Sequence, residues 1–263
     1  GFGTDAGSLE AFSAYSQWVV IVFMAIAGIS FALHYRALRR PALYAQHPEA
    51  RLYLGFLAAA TLIIVWGTWG GAIAGGIRDA LFTSVSIVTT TGYATADFGQ
   101  WASALQILIV GLMFVGGMAG STAGGMKIYR IGVLSRAAAS DVRQLIHPRG
   151  VFVTRFGGEA VPDPILRSVQ SFFLLYMAVF IGGTLLLGII DTGLDTGLDL
   201  TTSASAVASA LGNIGPGLGD VGPSSNFLVI PAPGKWLLAL IMVIGRLEIF
   251  PIVLLATREL WRK

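Results

Sequence analysis

Two short runs carry the clearest chemistry, Thr89-Thr90-Thr91-Gly92-Tyr93-Ala94-Thr95 and Leu211-Gly212-Asn213-Ile214-Gly215. Each offers oxygen ligands without net charge, which is what removing the water shell of a monovalent cation requires. Backbone carbonyls facing a narrow axis supply such ligands. Glycine opens this backbone geometry because positive φ carries no Cβ penalty there, and neighbouring threonine hydroxyls can extend the ligand set. The candidate ligands are Thr90, Thr91, Gly92 and Tyr93 in the first run, and Leu211, Gly212, Asn213 and Ile214 in the second. A partial third copy, Gly1-Phe2-Gly3-Thr4, repeats the order glycine, aromatic, small residue, threonine and adds Gly1 and Phe2.

A second concentration of unusual residues lies at Gly116, Gly117, Gly120, Ser121, Thr122, Gly124 and Gly125, closing on Lys127. Each helix-interior glycine costs about 1 kcal/mol relative to alanine, so five within ten residues favour an irregular loop midway through an apolar segment. Below a cation filter that is the place of a gate. Met126 separates Gly125 from Lys127, so the run lacks the Gly-Lys-Ser/Thr of a phosphate-binding loop. Close packing of small residues in lipid is the plainer alternative. Arg246 stands in the middle of another apolar segment, where a guanidinium faces the interior and pairs with carboxylates or carbonyls. It is expected to reach the carbonyls of the glycine-rich loop and to set an electrostatic barrier. Glu248, two residues away and on a different helical face, would find its partner elsewhere.

The elements that must position these residues belong in a bilayer. Hydrophobic residues make up 55% of the 263 and charged ones 12%, which excludes a water-soluble domain. There is no cysteine, which removes disulfides and thiolate chemistry. The chain opens without an initiator Met or a basic leader, as a processed or truncated piece would. Uncharged runs over 11–33, 52–77, 98–126 and 168–190 are each long enough to cross about 30 Å as helix. A fifth, 236–257, carries Arg246 and Glu248 near its middle.

Sidedness follows from the cations: four follow the first span, seven lie between the third and fourth, and three close the chain, together 14 of 17. Their shared side is cytoplasmic by the positive-inside rule, and net charge +3 reflects this topology rather than nucleic-acid binding. Asp79, Asp97, Asp199 and Asp220 fall on the opposite side, where an acidic mouth concentrates cations. Parity forbids full crossings at 80–96 and 200–219, so both segments dip in and return. Non-helical backbone at that depth needs a protein-lined or water-filled path around it. The two align at an offset of 120 residues, Asp79 with Asp199, Thr83 with Ser203, and Gly92 with Gly212. The fold expected is an all-α membrane protein built from units of helix, re-entrant pore helix and loop, and helix. Its divisions are 1–47 (a filter remnant and the last helix of one unit), 48–147 (the next unit) and 148–263 (the last).

Thr89 to Thr95, Gly116 to Lys127, Leu211 to Gly217, and Gly245-Arg246-Leu247-Glu248 together resemble the Trk/Ktr/HKT superfamily of potassium transporters, closest to the bacterial TrkH type. The resemblance covers essentially the whole chain. It implies potassium uptake through a carbonyl-lined filter, with the potassium ion as the bound species in place of any organic cofactor. It also implies four units around one pore, an intramembrane loop obstructing that pore, a homodimer in the cell inner membrane, and a cytosolic nucleotide-binding regulatory subunit. A chain of this length would need the N-terminal half of the same transporter to close the pore. No enzymatic activity is expected, since no hydrolase motif or intramembrane carboxylate pair is present. The rival reading is a secondary transporter with broken helices, carrying an anionic or organic solute on Arg246 and helix N-termini. Trp18, Trp69, Trp101 and Trp236 are expected at the membrane interfaces. The basic, proline-punctuated stretch 135–167 is expected to meet a regulatory partner or anionic lipid.

Overall fold

The computed structural model describes residues 7–69 and 76–257. Gly1 and Phe2 lie outside the described residues. In chain order the helices are α1 (Ala14–Ala27), α2 (Phe31–Ala37), α3 (Leu43–Gln46), α4 (Pro48–Gly67), α5 (Ile77–Val88), α6 (Ser103–Met113) and α7 (Ile128–Ile146). They continue with α8 (Asp163–Leu194), α9 (Leu200–Gly212), α10 (Ala232–Arg246) and α11 (Phe250–Ala256). A two-stranded antiparallel hairpin, β1 (Arg155–Phe156) and β2 (Glu159–Ala160), precedes α8.

Two helices among the described residues are long and apolar enough to cross a membrane by themselves, α4 and α8. Both start on a proline in the first turn, where the missing N–H is no loss and φ is already helical. Each adds an acidic residue, Glu49 or Asp163, beside the positive end of the helix dipole.

The other three expected spans are not straight. The first breaks at Gly28, and α1 and α2 meet at 99°. The third keeps helix only over Ser103–Met113, and its remainder through Lys127 is irregular before α7 begins. The fifth breaks after Arg246, where Glu248 (φ 58) and Ile249 (φ 43) take left-handed backbone before α11. These breaks have a tertiary cause. Side chains at Gly28 and Gly245 would overlap Tyr53 and the Leu211 carbonyl respectively, so both positions press backbone against a neighbouring element.

The core is built around the two short helices. α5 packs against α1, α4 and α6, and nine of its twelve residues are buried. α9 packs against α8, α10 and α6 and is buried from Thr202 through Gly212 except at Ala204. At about 18 and 20 Å both are too short to cross a bilayer. Trp101, expected at an interface, is instead buried at the foot of α6 with its ring edge-on to Phe98 at 6.2 Å. Trp18, Trp69 and Trp236 are exposed. The stretch 135–167 holds more structure than a charged loop. α7 runs through its first third, and the hairpin seats Phe156 against Val133, Val161 and Val169 with the Arg136 guanidinium 4.8 Å from the ring.

Candidate functional site

Each short helix ends in the same local device. In the first copy the Thr90 amide donates to the Ile87 carbonyl and the Thr91 amide to Ser86. In the second the Asn213 amide donates to Ala210 and the Ile214 amide to Ser209. Left-handed backbone occurs at Thr90 (φ 54) and Asn213 (φ 56), and again two residues later at Gly92 (φ 78) and Gly215 (φ 123). Ser86 and Ser209 each use their hydroxyl to hold the returning strand, at the Tyr93 carbonyl (2.6 Å) and the Gly215 amide (3.0 Å). The turn residues and the two serines pair at an offset of 123 residues, not the expected 120.

The three-residue difference comes from the helix starts. Asp199 is itself the N-cap of α9, accepting from the Thr202 amide at 2.7 Å. In α5 the N-cap is Gly76, and Asp79 lies inside the first turn, where its carboxylate accepts from the Thr95 hydroxyl at 3.1 Å and ties the end of the return to its beginning. The partner of Gly92 is therefore Gly215. Leu211 and Gly212, expected in the return, form the last turn of α9.

Gly92 packs against the other copy: a Cβ there would overlap the Ile214 carbonyl oxygen. Among the described residues, no hydrogen bond reaches the carbonyls of Thr90, Thr91 and Gly92, or those of Gly212, Asn213 and Ile214. Main-chain carbonyls without a protein donor turn to water or to a ligand, so these two sets of three are open to one. The threonine hydroxyls also have protein partners. Thr89 donates to Val85 at 2.7 Å and shares a bond with Thr91 at 2.8 Å, while Thr90 accepts from the Gly124 amide at 2.7 Å. They are struts that set the carbonyls in place.

That last bond joins the first return to the glycine-rich loop, which spans 114–127. A side chain at Gly124 would run into the Gly212 carbonyl, and one at Gly116 into the Gly124 carbonyl. Gly116, Gly120 and Gly125 all have positive φ. The loop also meets the first broken helix: the Met118 amide donates to the Gly28 carbonyl at 2.9 Å and the Thr122 hydroxyl to Ala27 at 3.1 Å, while Gly120 accepts from the Phe31 amide. Gly117 abuts the Gly28 carbonyl, and Ser121 donates to Met118 at 2.7 Å. Lys127 turns its ammonium back onto the Ala123 carbonyl. From the far side Arg246 donates to the Thr122 carbonyl at 3.2 Å. A cavity of about 230 Å³ between loop and α10 is lined by Ser121, Thr122, Lys127, Arg246 and Glu248.

Two residues here were invisible as participants in the sequence. Glu49, buried in the first turn of α4, accepts from the Ala119 amide of the loop at 2.7 Å. Arg130 pairs with Glu248 at 2.8 Å and lies 3.9 Å from the centre of the Phe172 ring, pinning the α10–α11 break to α7 and α8. An acidic residue in a first turn is the single local signal for Glu49, and it reads equally well as dipole compensation. Beside it, at the N-cap of α4, burial followed by the nearby Arg36 guanidinium holds the His47 pKa below the ordinary histidine range.

Comparison with known proteins adds the following. The family model for TrkH, described as a cation transport protein, matches residues 71–263. The Trk system potassium uptake protein TrkH of Halomonas elongata is 39% identical over all of this chain, and TrkI of the same organism is 37% identical over 99%. The chain spans 54% of the length of each. A crystal structure of the potassium transporter TrkH from Vibrio parahaemolyticus superposes with a TM-score of 0.89 at 35% identity, covering 100% of this chain and 56% of that one.

Proposed function

Because the chain belongs to the TrkH family of cation transport proteins, we propose that it forms part of a membrane path for potassium. In this reading the returns after α5 and α9 supply main-chain oxygens to a dehydrated ion. The observation that carries it is the pair of adjoining returns, with the carbonyls of Thr90, Thr91 and Gly92 beside those of Asn213 and Ile214, none accepting a hydrogen bond among the described residues. A set of neutral dipoles suits a monovalent ion that must be held long enough to shed water and weakly enough to leave. An organic anion would demand cationic groups at that place, and the cations instead lie at the glycine-rich loop.

Residues 114–127 are the gate of this path, closing it just beyond the returns to which Gly124 is bonded. Arg246 holds the loop from α10 and places a positive charge where a cation would have to pass. The three divisions 1–47, 48–147 and 148–263 are pore units, and the N-terminal half of the transporter supplies the rest of the ring. The whole protein sits in the cell inner membrane as a homodimer, with a cytosolic nucleotide-binding subunit docking on the basic side at 135–167.

Flux of potassium, rubidium, sodium and lithium through the full-length transporter in liposomes tests both parts. Potassium and rubidium should pass faster than sodium and lithium, Gly92→Ser should abolish that preference, and Arg246→Ala should raise flux in the unstimulated protein. Equal permeation of all four ions, indifferent to Gly92→Ser, removes the filter. An unchanged resting flux in Arg246→Ala removes the gate role of the arginine.

A further inference from the structure

We propose that Glu49 is the positioning residue that latches the glycine-rich loop to the membrane-spanning scaffold, a proposal that rests on reading 114–127 as the gate. A loop rich in glycine has few side chains with which to anchor itself, so its restraints must come from outside. Most of them are neutral: the Gly28 carbonyl on the Met118 amide and the Thr90 hydroxyl on the Gly124 amide. Among the described residues, Glu49 alone brings a carboxylate to a loop amide, accepting from Ala119 at 2.7 Å. Charge-assisted bonds of this kind are roughly twice as strong as neutral ones.

The same carboxylate lies beside a second element. α7 begins on Lys127, whose φ of 73 is non-helical and whose side chain gives the helix no cap. Tyr129 in its first turn lines the same cavity as Glu49 and Ala119. One buried carboxylate thus fastens the loop to the start of α4, next to the start of α7. The Lys127 ammonium adds an attractive charge nearby. The joint is also reachable, since a cavity of about 570 Å³ opens on it, bounded by Ala119 and Tyr129 on one side and by Phe156 and Glu159 of the hairpin on the other. A movement of the hairpin bears on the latch without touching the returns above.

Thiol protection separates this role from a general structural one. In the full-length transporter freed of any reactive cysteine, Met118→Cys places a thiol at a fully buried loop position next to the latched amide, and Leu187→Cys places one in the distant core of α8. Glu49→Ala should raise the labelling rate at position 118 about tenfold, the scale expected for one lost charged hydrogen bond, and leave position 187 protected. Glu49→Gln keeps an acceptor at the same reach and should raise it by roughly threefold or less. That variant carries the same reading should the alanine protein fail to reach the membrane. Unchanged labelling at 118 overturns the proposal, and so does a rise at both positions, which marks loosened packing throughout. A rise at 118 alone with unaltered potassium flux leaves the latch standing and removes the gate reading on which its consequence depends.

Discussion

At the scale of single residues, three glycines that look alike in the sequence stand in different physical situations. Gly92 combines φ 78 with direct contact to the Ile214 carbonyl, so a methyl group there meets both backbone strain and a fixed oxygen. Gly215 has φ 123 but open space around it, which leaves strain of about 1–3 kcal/mol as the whole cost of a side chain. Gly212 is helical, and a Cβ would sit 3.1 Å from the Ile214 side chain and the Met113 carbonyl, tight but able to relax. Loss of potassium-over-sodium preference should therefore follow the order Gly92→Ala, then Gly215→Ala, then Gly212→Ala, measured as the ratio of initial flux rates in liposomes. Were Gly212→Ala the worst of the three, the 120-residue alignment would be the correct one and the structural pairing wrong. That the chain turns back at these two runs was legible in the sequence, because their glycines admit the positive φ the turns adopt. Their register was not, because two aspartates at the head of similar helices fill different places, one an N-cap and one inside the first turn.

Among elements, the short helices could be read from the sequence: parity and the aspartates near their starts placed them within a few residues. The breaks at Gly28 and after Arg246 could not. One glycine in an otherwise apolar run carries too small a helix penalty to announce a 99° bend, which arises because other backbone needs the space. The basic α7 was hidden for the opposite reason, its low apolar content making it read as loop although Ile128, Val133 and Ala137 form a buried stripe. A matched pair of substitutions measures how much the tertiary fit matters. Gly124→Ala drives a methyl into the Gly212 carbonyl between the loop and α9, and overpacking of this kind costs about 1–3 kcal/mol. Gly111→Ala, in the last turn of α6 with nothing near the new methyl, should be neutral or stabilising by up to about 0.5 kcal/mol through helix propensity. Thermal unfolding of the detergent-solubilised transporter should thus shift down for the first and not for the second. Equal shifts would mean that the loop does not press on α9.

On the scale of the whole molecule, the separation of charge turns on carboxylates that already have local duties. Asp199 caps α9, Asp97 accepts from the Gly99 amide at 3.0 Å and from Gln100 at 2.9 Å, and Asp79 closes the first return. These hydrogen bonds fix where each of the three carboxylates sits. Asp220 differs, because it is exposed beside the second return and among the described residues only its amide is engaged, donating to the Thr202 hydroxyl at 3.1 Å. It can be neutralised with little disturbance to the fold, which makes Asp220→Asn a test of the field alone. A unit charge about 8 Å from an ion in water contributes about 0.5 kcal/mol, equivalent to roughly a twofold change in local cation concentration. The variant should accordingly show about half the parental flux at potassium well below saturation and the parental flux at saturation. Raising ionic strength to about 1 M with an impermeant salt shortens the screening length to about 3 Å and should erase most of the difference. A loss that persists at saturating potassium would place Asp220 in the path itself, and no loss at low salt would show that the acidic side does not gather cations for it.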